Sequence, residues 1–354
     1  MGLPVIDVKF TQLTETAVAR SERGIVALLL EENNGNTETL KTASEAGAGW
    51  STEAKGYIAA AFEGGAYRVI AIGAELSGST ADYDATLKKA DALTWNWLAA
   101  PSASADNVAK IVTYIKGARA LGRTKKAVVA GALSPDSEGI VNMTAGNITS
   151  TVTGAAKTYT AQQYTPRIAG VLAGLALDKS ATGYVLDDVV SADAPEDPGA
   201  EIDAGRFAIV FDGEDYVCGR GVTSLTGTSE KPSLFKKIKH VEGADLMSDD
   251  MALIFKARYK GKKANTYANK QTLMAELSGY LKGLQGTVLS GDFDNAAVID
   301  ADAQKAYLIA VGEYAEGMSD IAVIKSDTAD KVFAKANVLF ADAMEDVYIS
   351  VVMG

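Results

Sequence analysis

Apolar residues in this chain fall into short unbroken runs and helical stripes that alternate over the first two hundred positions. Gly24 to Leu30 is a continuous apolar run, the pattern of a strand buried on both faces of a sheet. A Gly/Asn/Thr turn follows at Asn33 to Thr37. Ser51 to Phe62 then reads as a helix closed by Gly64-Gly65, and Tyr67 to Ile72 as the next strand. The unit recurs with Tyr83 to Leu93 as helix and Thr94 to Ala99 as strand. Ala105 to Leu121 is an amphipathic helix with Val108, Ile111, Val112, Ile115 and Ala118 on one side, and Ala127 to Ala132 is another buried strand. Parallel strands need a crossover and a helix supplies one, so the alternation predicts a mostly parallel sheet flanked by helices. Ile140 to Val152, rich in Thr, Asn and Ser, reads as short strands. Pro166 to Ala176 reads as a helix opening at its proline, with Ile168, Val171, Leu172 and Leu175 buried and Gly170 and Gly174 permitting close packing.

A hairpin marks a seam in the chain. Arg206 to Phe211 is predicted as a strand, Asp212-Gly213 as a turn and Tyr216 to Val222 as the return partner. Beyond it the rhythm changes. Leu234 to Val241 reads as a strand, and Asp245 to Tyr259 as a helix carrying Met247, Met251, Ile254 and Phe255. The loop from Gly261 to Thr266 leads to a second helix, Tyr267 to Leu284, with Leu273, Leu277, Tyr280, Leu281 and Leu284 on one face. Further strands are expected within Val298 to Val311, Asp320 to Lys325 and Lys331 to Phe340. Both extremities alternate. Ile6, Val8 and Phe10 oppose Val5, Asp7 and Lys9, and Val347, Ile349, Val351 and Met353 oppose Asp346, Tyr348, Ser350 and Val352. Ends are ordinarily polar and frayed, so two strand-like ends call for something that holds them.

Composition narrows the function. A length of 354 residues suffices for two or three domains and a substantial core. No apolar run reaches the roughly 18 residues that span a bilayer, and Met1-Gly2-Leu3-Pro4 lacks the features of a secretory signal. The lone Cys218 excludes an intrachain disulfide and a multi-cysteine metal site, which suits a reducing cytoplasm. A net charge of −11 argues against nucleic-acid binding, which needs a basic footprint. Asp187 to Asp203 holds seven acidic residues and no basic one and reads as a solvated loop or short helix. Lys236 to Lys263 holds eight basic residues against four acids. The two segments are either solvated faces or patches that meet between subunits and set their register.

Catalytic constellations are hard to assemble from this sequence. His240 is the one candidate base, set in a predicted strand, and reads as structural. His240-Val241-Glu242 is followed by no paired cysteines, Gly261-Lys262 has no glycine five residues earlier, and Gly47-Ala48-Gly49 and Gly219-Arg220-Gly221 each lack a third glycine. Cys218 reads as an inert core residue. The remaining enzyme hypothesis, a soluble α/β enzyme acting through loop carboxylates at the strand ends, rests on fold analogy alone.

Several motifs, in order, carry a resemblance. They are Gly2-Leu3-Pro4-Val5-Ile6 with Arg20-Ser21-Glu22-Arg23-Gly24-Ile25-Val26, then Arg167-Ile168-Ala169-Gly170, and the Arg206 to Thr226 hairpin with its Arg220-Gly221-Val222-Thr223-Ser224-Leu225-Thr226. Phe235-Lys236-Lys237-Ile238, Asp249-Asp250 and Tyr259-Lys260-Gly261-Lys262 follow. In this the chain resembles the contractile tail sheath proteins of phages and phage tail-like (R-type) bacteriocins, in particular the compact type of Gram-positive hosts. The resemblance implies an outer α/β domain inserted into an inner, tube-proximal α+β domain built from the N- and C-terminal parts. The expected divisions are residues 1–22, an N-terminal β-arm and the start of the inner domain; 23–231, the outer domain; 232–345, the inner domain; and 346–354, a C-terminal β-arm. It also implies a homopolymer of stacked hexameric rings around an inner tail tube protein, with baseplate and tail terminator proteins as further partners. Neither cofactor nor metal, nucleic acid nor membrane is expected, and the particle would be assembled in the bacterial cytoplasm and then released.

Physical chemistry adds candidate residues to that scheme. Val5, Ile6, Val8 and Phe10 at one end, and Val347, Ile349, Val351 and Met353 at the other, would be the side chains by which an arm adds to a neighbour's sheet edge. Arms that instead complete their own subunit's sheet are the alternative. Lys256, Lys260, Lys262 and Lys263 are candidates for facing an acidic tube. The segments Glu15 to Arg23 and Asp342 to Asp346 are candidate hinges.

Overall fold

A computed structural model describes residues 23–32, 35–74, 76, 77, 80–144, 146–193, 195–227 and 231–353. The N-terminal arm residues Val5, Ile6, Val8 and Phe10 and the hinge candidate Glu15 lie outside the described residues.

Strand β1 (Ile25–Leu30) is the centre of the larger part. It pairs in parallel with β3 (Arg68–Gly73) and with β6 (Trp97–Ala99), and β2 (Thr37–Leu40) adds antiparallel at the far edge of β3. Beyond a short pair, β4 (Leu76–Ser77) and β5 (Thr80–Ala81), the sheet continues through β7 (Lys126–Ala130) and β8 (Ile140–Met143). With β12 (Arg206–Phe207), the order across seven strands is β12-β8-β7-β6-β1-β3-β2, parallel except at β2. The mostly parallel sheet expected from the alternation is therefore present. The unbroken apolar run of β1 has a simple cause: Val26, Leu28 and Leu30 enter the core on one face, while Ile25, Ala27 and Leu29 enter the core on the other.

The first face is covered by helices α1 (Thr52–Glu63) and α4 (Ala161–Gly174), the second by α2 (Tyr83–Asp91) and α3 (Ala105–Ala120). Helices α1 and α4 touch backbone to backbone. A Cβ on Gly170 would lie 2.1 Å from the Ala61 carbonyl oxygen, and one on Gly174 would lie 2.5 Å from that of Gly65. The glycines are there because nothing larger fits. Helix α4 does not open at Pro166 as the sequence suggested. It starts five residues earlier, where Thr160 and Gln163 form a capping box. Pro166 leaves the Gln162 carbonyl without its usual helical donor, and the Thr165 hydroxyl donates to it at 2.8 Å.

Smaller sheets decorate this body. β9 (Ile148–Ser150) lies between β10 (Lys157–Tyr159) and β11 (Val189–Ala192). The acidic stretch thus contains a strand, and a short helix, α5 (Pro198–Asp203), follows. Asp188 within it is not a solvated charge: it accepts from buried Arg167 and from the Tyr164 hydroxyl at 2.7 Å. The hairpin at the seam is formed by β13 (Ile209–Phe211) and β14 (Tyr216–Cys218), while Arg206 and Phe207 belong to the edge of the large sheet.

The C-terminal part comprises α6 (Ile238–Arg258), α7 (Tyr267–Lys282), β15 (Ala296–Ile299), α8 (Ala301–Ala310), α9 (Asp320–Lys325) and β16 (Ala334–Asn337), and has its own core, centred on α6, α7 and β15. Two sequence expectations fail here and a third is met only in part. Leu234 to Val241 is not a strand but a 3-10 turn, Ser233–Lys236, running into α6. Ile238 and Val241, three apart and both buried, share one face of a helix, whereas a strand would turn them to opposite faces. Asp320 to Lys325 is helical because the Ser319 side chain caps Ala322 N–H, a local signal that overrides the β-branched Ile321 and Val323. Val298 to Val311 is a strand only up to Ile299, since Asp300 caps α8.

Candidate functional site

The motif that follows β14 stitches the two parts together. Gly219 N–H donates to Ala208 O at 2.9 Å and Ser224 N–H to Ile140 O at 2.7 Å, on the sheet side. Thr223 N–H donates to Lys236 O at 2.8 Å, and Ile238 N–H to Gly221 O at 3.0 Å, on the side of α6. Gly221 runs against Ser180 and Ala181, where a Cβ would lie within 3.3 Å of both. The seam is thereby fixed, and its side chains project from a rigid base.

Arg220 of this motif, with Ser180, Thr182 and Lys237 beside it, holds the start of the C-terminal arm. Glu345 accepts from the hydroxyls of Ser180 and Thr182, each at 2.8 Å, and pairs with Lys237 at 3.2 Å. Its side chain is 6 % exposed although residues on either side point into solvent. Burial opposes ionisation of Glu345, but the three donors outweigh it and its pKa is lowered. Asp342 accepts from Lys237 at 2.7 Å and lies 3.7 Å from His240 Nε2. Burial again opposes its charge, and the hydrogen bonds from Lys237 and Ala343 N–H prevail, lowering its pKa. Arg220 donates to both Asp346 oxygens, at 2.7 and 2.8 Å. The hinge candidates Asp342 and Asp346 are thus both engaged at this root.

Past Asp346 the chain leaves the body. Val347, Ile349, Val351 and Met353 are between 78 and 90 % exposed, and no strand forms over 346–353. The sequence predicted a strand at this position. A strand is defined by its ladder, and within the single chain this segment has no ladder partner.

A second charged cluster fastens α6 to the sheet. Asp245, buried on α6, accepts from Arg119 Nη1 and Nη2 at 3.1 and 3.0 Å and from Lys126 Nζ at 2.7 Å. Lys126 pairs with Glu242 at 3.1 Å, Glu242 pairs with Arg23, and Arg119 continues to Glu138 at 2.8 Å. Burial works against the Asp245 carboxylate, but Lys126 and Arg119 hold its pKa below the usual range. Arg23, a hinge candidate, is therefore tied to the same helix as the C-terminal root.

The other candidates are dispersed. Lys256, Lys260, Lys262 and Lys263 are all exposed at the end of α6 and in the loop after it, and Lys262 donates to the Ala257 carbonyl. His240 sits on α6, not on a strand, with Nδ1 3.0 Å from Leu234 O. The Cys218 thiol is fully buried and its pKa is pushed up to about 12 by that burial, so no reactive thiolate forms. Among the described residues no group of three or more His, Cys, Asp or Glu is placed to hold a metal ion, and no helix is long and apolar enough to cross a membrane. Ser180, Thr182, Lys237 and Glu345 were missed by the sequence reading. They meet across more than a hundred residues, a separation at which local pattern carries no information.

The C-terminal part has a match among known families. Its residues 230–354 fit the sequence model of the phage tail sheath C-terminal domain. Over these residues the chain is similar to tail sheath domains. The sheath likeness extends beyond them. The tail sheath protein of Clostridium phage phiCD119 is 29% identical over 363 residues, covering 99% of each chain. The sheath tail protein of Desulfitobacterium hafniense has the same fold, with a TM-score of 0.67 at 17% identity, over 85% of this chain and 94% of that one. The helical sheath of the anti-feeding prophage in its contracted state superposes with a TM-score of 0.68 at 12% identity, over 99% of each chain. The resemblance to contractile tail sheath proteins drawn from the motifs is borne out, and the sheath-like region spans α6 to the exposed arm.

Proposed function

We propose that this tail sheath protein polymerises as stacked hexameric rings around an inner tube, and that the sheath shortens to drive that tube through a target envelope. The observation that carries the reading is the C-terminal arm: a strand-patterned apolar segment, anchored at its root and bare beyond it. Exposed runs of this kind are interaction surfaces or aggregation hazards. The sheet β15–β16 has two strands only among the described residues; Ser278 on α7 bonds the outer edge of β15 at Ala297, which leaves the outer edge of exposed β16 open. An arm added to such an edge gains ladder hydrogen bonds, and alternate side chains gain pockets. About eight residues reach roughly 26 Å at about 3.3 Å each, enough to cross a subunit boundary. Burying three or four large apolar side chains at about 1.5–3 kcal/mol each gives several kcal/mol per junction before entropy costs.

The N-terminal arm, residues 1–22, would engage in the same way, and the sheet body around residues 23–231 would form the outer domain. The interface is heterologous and does not close on two copies, so it builds a helix. The lysines Lys256, Lys260, Lys262 and Lys263, all exposed along the end of α6 and the loop after it, would grip an acidic tube surface. Baseplate and terminator proteins would bound the polymer, assembled in the bacterial cytoplasm and released with the phage or bacteriocin particle. The enzyme alternative is disfavoured because the relatives are structural sheath proteins. Electron microscopy of the purified chain tests the reading. The full chain should form long hollow tubes, and deletion of 346–354 should abolish them. Isolated rings would point to a non-contractile assembly, and normal tubes from the truncated chain would refute strand donation.

A further inference from the structure

The arm and the open sheet edge belong to the same chain, separated by residues 338–346 alone. Hairpins commonly close over loops of about two to five residues, so this spacer is ample for 347–353 to turn back antiparallel on β16. Closure within one chain also avoids the loss of translational freedom that association between chains entails, and the cost of closing so short a loop is small. Intramolecular pairing is therefore the natural fate of the arm, yet the arm stands away from β16 with its apolar side chains bare.

The path of the spacer explains why. Ser290 N–H donates to Leu339 O at 2.8 Å and Ala341 N–H to Val288 O at 2.9 Å, which leads the chain on past β16. Residues 342–346 are then tied to a different part of the molecule. Lys237 takes Asp342, the hydroxyls of Ser180 and Thr182 take Glu345, and Arg220 takes Asp346. Glu345 is the innermost of these, with Arg220 Nε 4.0 Å away as a second cation beside Lys237. Met344 and Val347 on either side of this acidic pair are fully and largely exposed, so the acids alone hold the segment.

We propose that the Glu345 carboxylate and its socket form a strand-directing latch: it holds the arm off the open edge of its own β15–β16 sheet and so keeps both arm and edge available to other copies of the chain. The inference rests on the reading of 347–353 as a donated strand.

Hydrogen exchange on the full-length, unassembled chain tests it, read by mass spectrometry at two concentrations tenfold apart. Two variants open the latch from opposite sides: Glu345→Ala with Asp346→Ala, and Ser180→Ala with Thr182→Ala, which leaves every charge in place. In the native chain at the lower concentration, the peptide covering 347–353 should exchange at the rate of free peptide, and the one covering 334–337 should keep only the protection that its pairing with β15 supplies. In both variants these peptides should slow at least tenfold, equally at both concentrations, as the arm closes on its own sheet. Unchanged exchange in a variant whose melting midpoint matches the native chain would overturn the latch, as would protection of 347–353 already present in the dilute native chain. If the Glu345 variant melts early, the hydroxyl variant decides. Because the readout precedes assembly, a chain that makes no tubes but gains protection on unlatching supports the latch and sinks the sheath reading. Normal tubes with no gain do the reverse.

Discussion

Asp245→Ala removes the carboxylate on which the joint between α6 and the sheet converges. Three donors point at it within 3.1 Å, and Lys126, one of them, has a side chain only 1 % exposed. Deleting one member of a buried ion pair leaves an uncompensated charge out of water and costs about 3–5 kcal/mol, whereas an exposed pair is worth about 0–1 kcal/mol. Here the stranded cations keep partial company: Lys126 retains Glu242 at 3.1 Å and Arg119 retains Glu138 at 2.8 Å. The loss should therefore fall at the lower end, about 3 kcal/mol. With a urea dependence of about 3 kcal/mol per molar for a chain of this size, the unfolding midpoint should drop by about 1 M. Combining Asp245→Leu with Lys126→Met should recover much of that loss, because a well-packed apolar pair avoids the desolvation penalty of both ions. A loss below 1 kcal/mol in Asp245→Ala, by urea titration followed through tryptophan fluorescence, would mean that water screens the joint and would refute this account of how α6 is held.

Three further outcomes are expected. Gly170→Ala should destabilise the chain by about 1–3 kcal/mol or more in the same titration, since its Cβ would lie 2.1 Å from the Ala61 carbonyl and backbone cannot yield cheaply. Acid should free the arm root: the pKa values of Glu345 and Asp342 are lowered on folding, so their contribution is complete above their unfolded values of 4.5 and 3.8 and is lost as pH falls through the lower folded values. Hydrogen exchange over 342–346, corrected for its intrinsic pH dependence, should accordingly accelerate below about pH 4.5. Reversing the charges of Lys260, Lys262 and Lys263 should weaken assembly on inner tubes in co-sedimentation, with the melting midpoint unchanged because all three are exposed.

The sequence by itself determined the parallel sheet and its helices. The run Ile25 to Leu30, the capped helix after Ser51 and the glycines at the α1–α4 crossing each express a local rule: two-sided burial, terminal hydrogen bonding, closest approach. It also fixed the alternating apolar character of 347–353. What it did not settle were short segments carrying β-branched residues, which is why Leu234 to Val241 and Asp320 to Lys325 read as strands and folded as helical structure. Only the tertiary structure decided that Glu345 meets Ser180 and Thr182, and that Asp245 meets Arg119 and Lys126. Such contacts join side chains more than a hundred positions apart, and a carboxylate that will be buried looks the same in a sequence as one that will stay in water.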